Sequence, residues 1–149
     1  MNDLLRIAGA DLAGAKYFAS NEKDDVYLNQ AGYHCAQAAE KMVKSYIGFM
    51  GLVPPKVHKV YELINYIKNR GLFDPMFTLL DMIALELDAW TSQTRYVVNP
   101  LAAKDRITYA INILDDLLVQ LQTPKTEPTE TLKDEIKKNP PIEYGGGDR

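Results

Sequence analysis

The sequence holds a single cysteine, Cys35, and only two histidines, His34 and His58. One cysteine excludes an intrachain disulfide and a cysteine-rich zinc site, and it points to a reducing, cytoplasmic compartment. A di-iron bundle needs a Glu followed three residues later by a His on two helices. Neither His34 nor His58 follows a Glu at that spacing, so no metal ligands and no cofactor are assigned. Long apolar runs are missing too. None approaches the roughly 18 residues of a membrane span, and no membrane association is expected. Met1-Asn2-Asp3-Leu4-Leu5-Arg6 contains no basic segment leading into an apolar stretch, so no signal peptide is read there. Positive charge is short as well. Lys and Arg number 17 against 20 Asp and Glu, a net charge of -3. That balance excludes a general nucleic-acid coat protein and leaves room only for a local basic patch. The glycine run Gly145-Gly146-Gly147 has no strand before it and no helix after it, so it is not a phosphate loop. No Ser–His–Asp spacing is recognisable, and no catalytic residue is assigned.

What is present is helical periodicity. Apolar residues recur at three- and four-residue steps, and strict alternation never persists. A first helix is predicted from Asn2 or Asp3 towards Ser20, with Leu5, Ala8, Leu12, Ala15 and Ala19 on one stripe. A second, the longest, is predicted from Val26 to Met50, capped by Asp24 or Asp25 and ended by Gly51 and Pro54-Pro55. Ala31, Ala38, Met42 and Ile47 face inward on it. A third runs from Val57 to Asn69 and stops at Arg70-Gly71, with Val60, Leu63, Ile64 and Ile67 inward. Asp74-Pro75 and Asn99-Pro100 each place a capping side chain before a proline, which suits the first position of a helix. They start a fourth helix with Leu80, Ile83, Ala84, Leu87 and Trp90, and a fifth with Ile107, Ala110, Ile111, Leu114, Leu117, Leu118 and Leu121. The connections are short, which favours antiparallel neighbours. The fold class is therefore all-α: an up-and-down antiparallel bundle of about five helices over residues 1–122. Residues 123–149 are rich in Pro, Thr, Glu and Lys and read as a polar, flexible C-terminal tail.

The densest polar constellation lies on the second helix. His34, Gln37, Lys41 and Lys44 are three or four residues apart and share one face. An imidazole, an amide and two ammonium groups suit a phosphate or a carboxylate. The opposing reading is a solvated face, with Glu40–Lys44 as an exposed pair and His34 as a half-buried hydrogen-bonding group. His58, after Pro54-Pro55, either reaches a ligand across the bundle end or packs and caps. Arg95, in Thr94-Arg95-Tyr96, either binds phosphate near the start of the fifth helix or pairs with Glu86, Asp88 or Glu40. Cys35 lies inside a helix and is not a nucleophile candidate.

Three segments resemble the HEPN domain family. Ala31-Gly32-Tyr33-His34-Cys35-Ala36-Gln37-Ala38-Ala39-Glu40-Lys41, followed by Lys44, is similar to that family's long second helix. His58 with Leu63 and Ile64 resembles the start of its third, and Thr94-Arg95-Tyr96 with Pro100 its fourth-to-fifth junction. The resemblance covers roughly residues 1 to 122. It implies a helical bundle, often a homodimer, and often a partner to a minimal nucleotidyltransferase in a toxin–antitoxin pair. Other members are ribonucleases in which an Arg, followed after four to six residues by a His, forms a composite site. Arg95 matches that Arg in context, but Pro100, Leu101 and Ala102 stand where the His would be. Attack by a 2′-hydroxyl needs a group titrating near neutrality, which Arg95 is not. The expectation is accordingly a non-catalytic domain. Its ligand residues are His34, Gln37, Lys41, Lys44 and Arg95, for a nucleotide, RNA or other anion, or for a nucleotidyltransferase partner. A divergent ribonuclease using Arg95 and a purely structural bundle for protein–protein interaction are the alternatives.

Overall fold

A computed structural model of the chain describes residues 3–21, 24–93 and 102–123. Within them lie five α-helices: α1 (Asp3–Ala19), α2 (Asp25–Phe49), α3 (Val60–Asn69), α4 (Thr78–Gln93) and α5 (Lys104–Gln122). A single 3-10 turn, Pro75–Phe77, leads into α4, and no strand occurs among the described residues. The all-α antiparallel bundle is the fold the periodicity predicts. Of the segment read as a tail, residues 124–149 lie outside the described residues.

Local chemistry explains most of the boundaries. Asp24 caps α2, its carboxylate accepting the Val26 N–H at 2.9 Å. Asp74 does the same for Met76 at 2.8 Å, ahead of Pro75. Gly51 and Gly71, at φ 87° and 69°, adopt the left-handed backbone that ends α2 and α3. Each lets the next residue turn its N–H back onto the helix, Leu52 to Ile47 and Leu72 to Ile67.

Two starts differ from expectation. α3 begins at Val60 rather than Val57, because its first N–H groups are capped from another helix by Asp88. α5 begins at Lys104 with Ala103 as its cap residue, rather than at Asn99-Pro100. Asn99 and Pro100 lie outside the described residues.

α2 is the central element, packed against α1, α3, α4 and α5. It can take so many neighbours because Ala31, Ala36, Ala38 and Ala39 are buried and small, so backbones approach closely. Met42, Val43 and Ile47 then fill the core with Leu12, Leu63, Ile64, Leu80, Leu87, Ile107 and Leu114, all essentially inaccessible. The inward residues predicted for α3 and α4 are all buried. On α5 they hold as far as Leu117, and Leu118 and Leu121 are only partly covered. The α1–α2 seam carries the polar constellation.

Candidate functional site

His34, Gln37 and Lys41 lie on the stripe of α2 that faces α1, and there they meet Asp11. Its Oδ1 lies 3.1 Å from His34 Nδ1, and its Oδ2 accepts from Lys41 Nζ at 2.5 Å. Lys41 Nζ also donates to Gln37 Oε1 at 3.3 Å, one helical turn back. A carboxylate only accepts hydrogen bonds, so His34 Nδ1 carries the proton and, in the neutral ring, Nε2 is the acceptor. The ring is fixed by stacking as well. Phe18 lies nearly parallel to it at 5.4 Å between centroids, and Phe18 stacks with Tyr27 as well, at 5.8 Å. The solvated-face reading therefore fails for this part of α2: the side chains of Asp11, Lys41 and His34 are 15%, 20% and 27% exposed.

Lys44 does not join them. Its ammonium lies 3.3 Å from Glu40 Oε2, and His58 Nδ1 approaches the same oxygen at 3.4 Å. The i,i+4 pair expected on the surface does form, but Glu40 is buried and Lys44 nearly so. A buried carboxylate needs partners to offset its lost hydration, and Lys44 with His58 supplies them. The face predicted as one site is thus two clusters of the same make-up, each a carboxylate holding one lysine and one histidine. His58 is neither a helix cap nor fully packed, since it stands before α3 with its side chain 43% exposed.

Asp11 was not singled out by sequence, although a signal existed. It lies three residues after Ala8 and four before Ala15, on the edge of the buried stripe of α1. A carboxylate at such a place calls for a cation on the facing helix.

Arg95 and Tyr96 lie outside the described residues. The three carboxylates considered as partners for Arg95 all have others. Glu86 holds the Arg106 guanidinium, with contacts of 2.7 Å from Nη2 and 3.1 Å from Nε. Asp88 accepts the Val60 and Tyr61 N–H groups at 2.7 and 3.1 Å. Glu40 is engaged as described above. Burial pushes the Asp88 carboxyl above the usual carboxylate range, and those two N–H bonds and the Lys59 charge oppose the shift without cancelling it.

Cys35 is fully buried in α2, and desolvation pushes its thiol up to about 12. It stays protonated at neutral pH and is no nucleophile. Among the described residues no group of three His, Cys, Asp or Glu side chains is arranged to hold a metal ion, and no helix is long and apolar enough to cross a membrane.

No curated protein and no solved structure matches the sequence. One family model does, that of the HEPN domain, and its match spans residues 1–123, from α1 through the end of α5. The chain belongs to the HEPN domain family.

Proposed function

We propose that this HEPN domain binds a nucleotide or a similar anion at the α1–α2 seam, using His34, Gln37 and Lys41 together with Arg95, without transforming it. The convergence of His34, Gln37 and Lys41 at the α1–α2 seam, each still partly open to solvent, carries the reading. Lys41 donates to Asp11 and Gln37, two of its three N–H bonds, which leaves one for a ligand oxygen. The Gln37 amide nitrogen adds a second donor, and His34 Nε2 can accept from a ligand hydroxyl or base. Asp11 offsets much of the lysine's charge, so affinity rests on hydrogen bonds to charged oxygens rather than on a long-range field.

Calorimetry with a panel of nucleotides and short nucleic acids tests this. Lys41→Ala and Arg95→Ala are each expected to weaken binding about tenfold or more, the scale of one hydrogen bond to a charged group. Binding to no member of the panel overturns the ligand reading. Complex formation with a co-expressed minimal nucleotidyltransferase alone would instead assign the face to a protein partner.

One observation favours a second reading, a divergent ribonuclease. The Asp11–His34 contact is the arrangement in which a carboxylate orients an imidazole for proton transfer, and it supplies a histidine that the segment after Arg95 lacks. In that case structured or unstructured RNA is cleaved by the purified protein, and cleavage is lost in both His34→Ala and Arg95→Ala. Intact RNA after prolonged incubation, or cleavage indifferent to these changes, excludes it.

A further inference from the structure

α4 presents an apolar stripe to solvent that the described bundle does not use. Leu79, Met82 and Leu85 follow one another at three-residue steps and are 47%, 73% and 67% exposed. The helix also carries Asp81, Glu86 and Asp88 and no Lys or Arg. Lys68 holds Asp81 and Arg106 holds Glu86. At Leu85 the stripe meets a polar hollow of about 300 Å³, where Glu62 and Asp88 stand with Lys59, Tyr61 and Ser92. The hollow sets two carboxylates against one ammonium. What fits this face is a short segment with two apolar side chains about one helical turn apart, followed by positive charge.

We infer that the chain supplies this segment itself, residues 131–138 docking on α4 of the same molecule. Their sequence is Thr-Leu-Lys-Asp-Glu-Ile-Lys-Lys, with Leu132 and Ile136 four residues apart and Lys137-Lys138 directly after them. Reach and direction both agree. Arg106, near the start of α5, pairs with Glu86 in the second half of α4, and α5 packs on the turn that precedes α4. α5 therefore runs antiparallel to α4, and the chain leaves it after Thr123 towards the Leu79 end of the stripe. Leu132 stands nine residues after Thr123, a reach of up to about 30 Å. The 16 residues of α4 span only about 24 Å.

Charge selects the direction of the segment. Running with α4, it lays Leu132 on Leu79 and Met82, and Ile136 on Leu85. Lys137 and Lys138 then follow into the hollow, beside Glu62 and Asp88. Running the other way, it would carry both lysines back to Asp81, which Lys68 already holds at 2.6 Å. The tether adds the remaining advantage, because a short linker keeps the segment at an effective concentration of roughly mM. Two apolar contacts then suffice where a separate peptide would dissociate. None of the α2 polar residues takes part, so this inference stands or falls apart from the ligand reading.

Limited trypsin digestion of the full chain tests it, since cutting of a docked segment follows the fraction of time it is released. Cleavage after Lys133 and Lys137 is expected to be at least about tenfold slower in the wild type than in Met82→Glu, which leaves those bonds chemically unchanged. Met82 lies outside the core, so the helical circular dichroism of the variant should match the wild type. Tyr17→Glu, at an exposed position on α1, a helix that does not pack against α4, should keep the protection. Leu85→Cys combined with Ile136→Cys gives an independent readout. Cys35 is fully buried, so mild oxidation can join only the introduced pair and should close a disulfide within one chain. Equal cleavage of the wild type and Met82→Glu overturns the inference. So does a cysteine pair that stays open, or one that links two chains, which would give the face to a second copy.

Discussion

Asp88→Ala is expected to lower the stability of the bundle by about 3 kcal/mol, although Asp88 touches no ligand residue. Its two oxygens accept the first N–H groups of α3, from Val60 at 2.7 Å and Tyr61 at 3.1 Å. Val60 is buried, so water cannot replace the lost acceptor there. Alanine leaves a buried donor unsatisfied and takes away a side-chain cap of α3 that Lys59 does not supply. Asp88→Asn keeps one acceptor oxygen and should cost only about 1 kcal/mol at neutral pH. Equilibrium urea unfolding of the three proteins measures the difference. Equal losses for Ala and Asn would show that the cap is not what holds the start of α3.

The same pair of proteins reads out the titration of Asp88. Burial raises its carboxyl pKa in the folded state above the unfolded value. The folded protein therefore holds this proton at pH values where the unfolded chain has released it. The stability this group contributes is complete below the unfolded pKa of about 3.9 and is lost as pH rises through the folded one. Relative to Asp88→Asn, which does not titrate there, the wild type should gain stability as pH falls through that window. A gap between the two proteins that is flat with pH would contradict the burial effect.

Gly32→Leu should be comparably damaging, by about 3 kcal/mol and roughly 10 °C in Tm. A Cβ at Gly32 would lie 3.0 Å from Ala102 Cβ and 3.2 Å from Trp90 Cδ2. Both neighbours are buried, so neither has free space to retreat into. Gly32→Ala asks for a shift of only a few tenths of an ångström and gains about 1 kcal/mol of helix propensity, so its net effect should be small. Gly48, on the same helix, has nothing within 4 Å of its would-be Cβ. Gly48→Ala should accordingly stabilise the protein by up to about 1 kcal/mol. Thermal melts of the three variants check the pattern. A Gly32→Leu protein as stable as the wild type would mean that α2 does not approach Trp90 and residue 102 this closely.

Much of this architecture was legible beforehand, and the legible parts share a property. The apolar stripes of α1 to α5, the caps at Asp24 and Asp74, and the stops at Gly51 and Gly71 depend on residues within a few positions of one another. Spacing along the chain therefore determined them. So too with His34, Gln37 and Lys41, which spacing placed on one face of α2 and which do converge. Lys44, drawn to Glu40, shows the limit of that reasoning: a shared stripe does not say which carboxylate each ammonium takes.

What the chain by itself determined is a set of amphipathic helices, their order, and the likeness of α2 to the HEPN family. Only the tertiary structure decided the partners. Asp11 meets Lys41 across 30 residues of sequence, and Asp88 caps Val60 across 28, setting where α3 begins. Helix packing brings these groups together, and the cost of burying an unpaired charge or N–H then selects the partner. That selection acts between faces of different helices, where spacing along one helix carries no information.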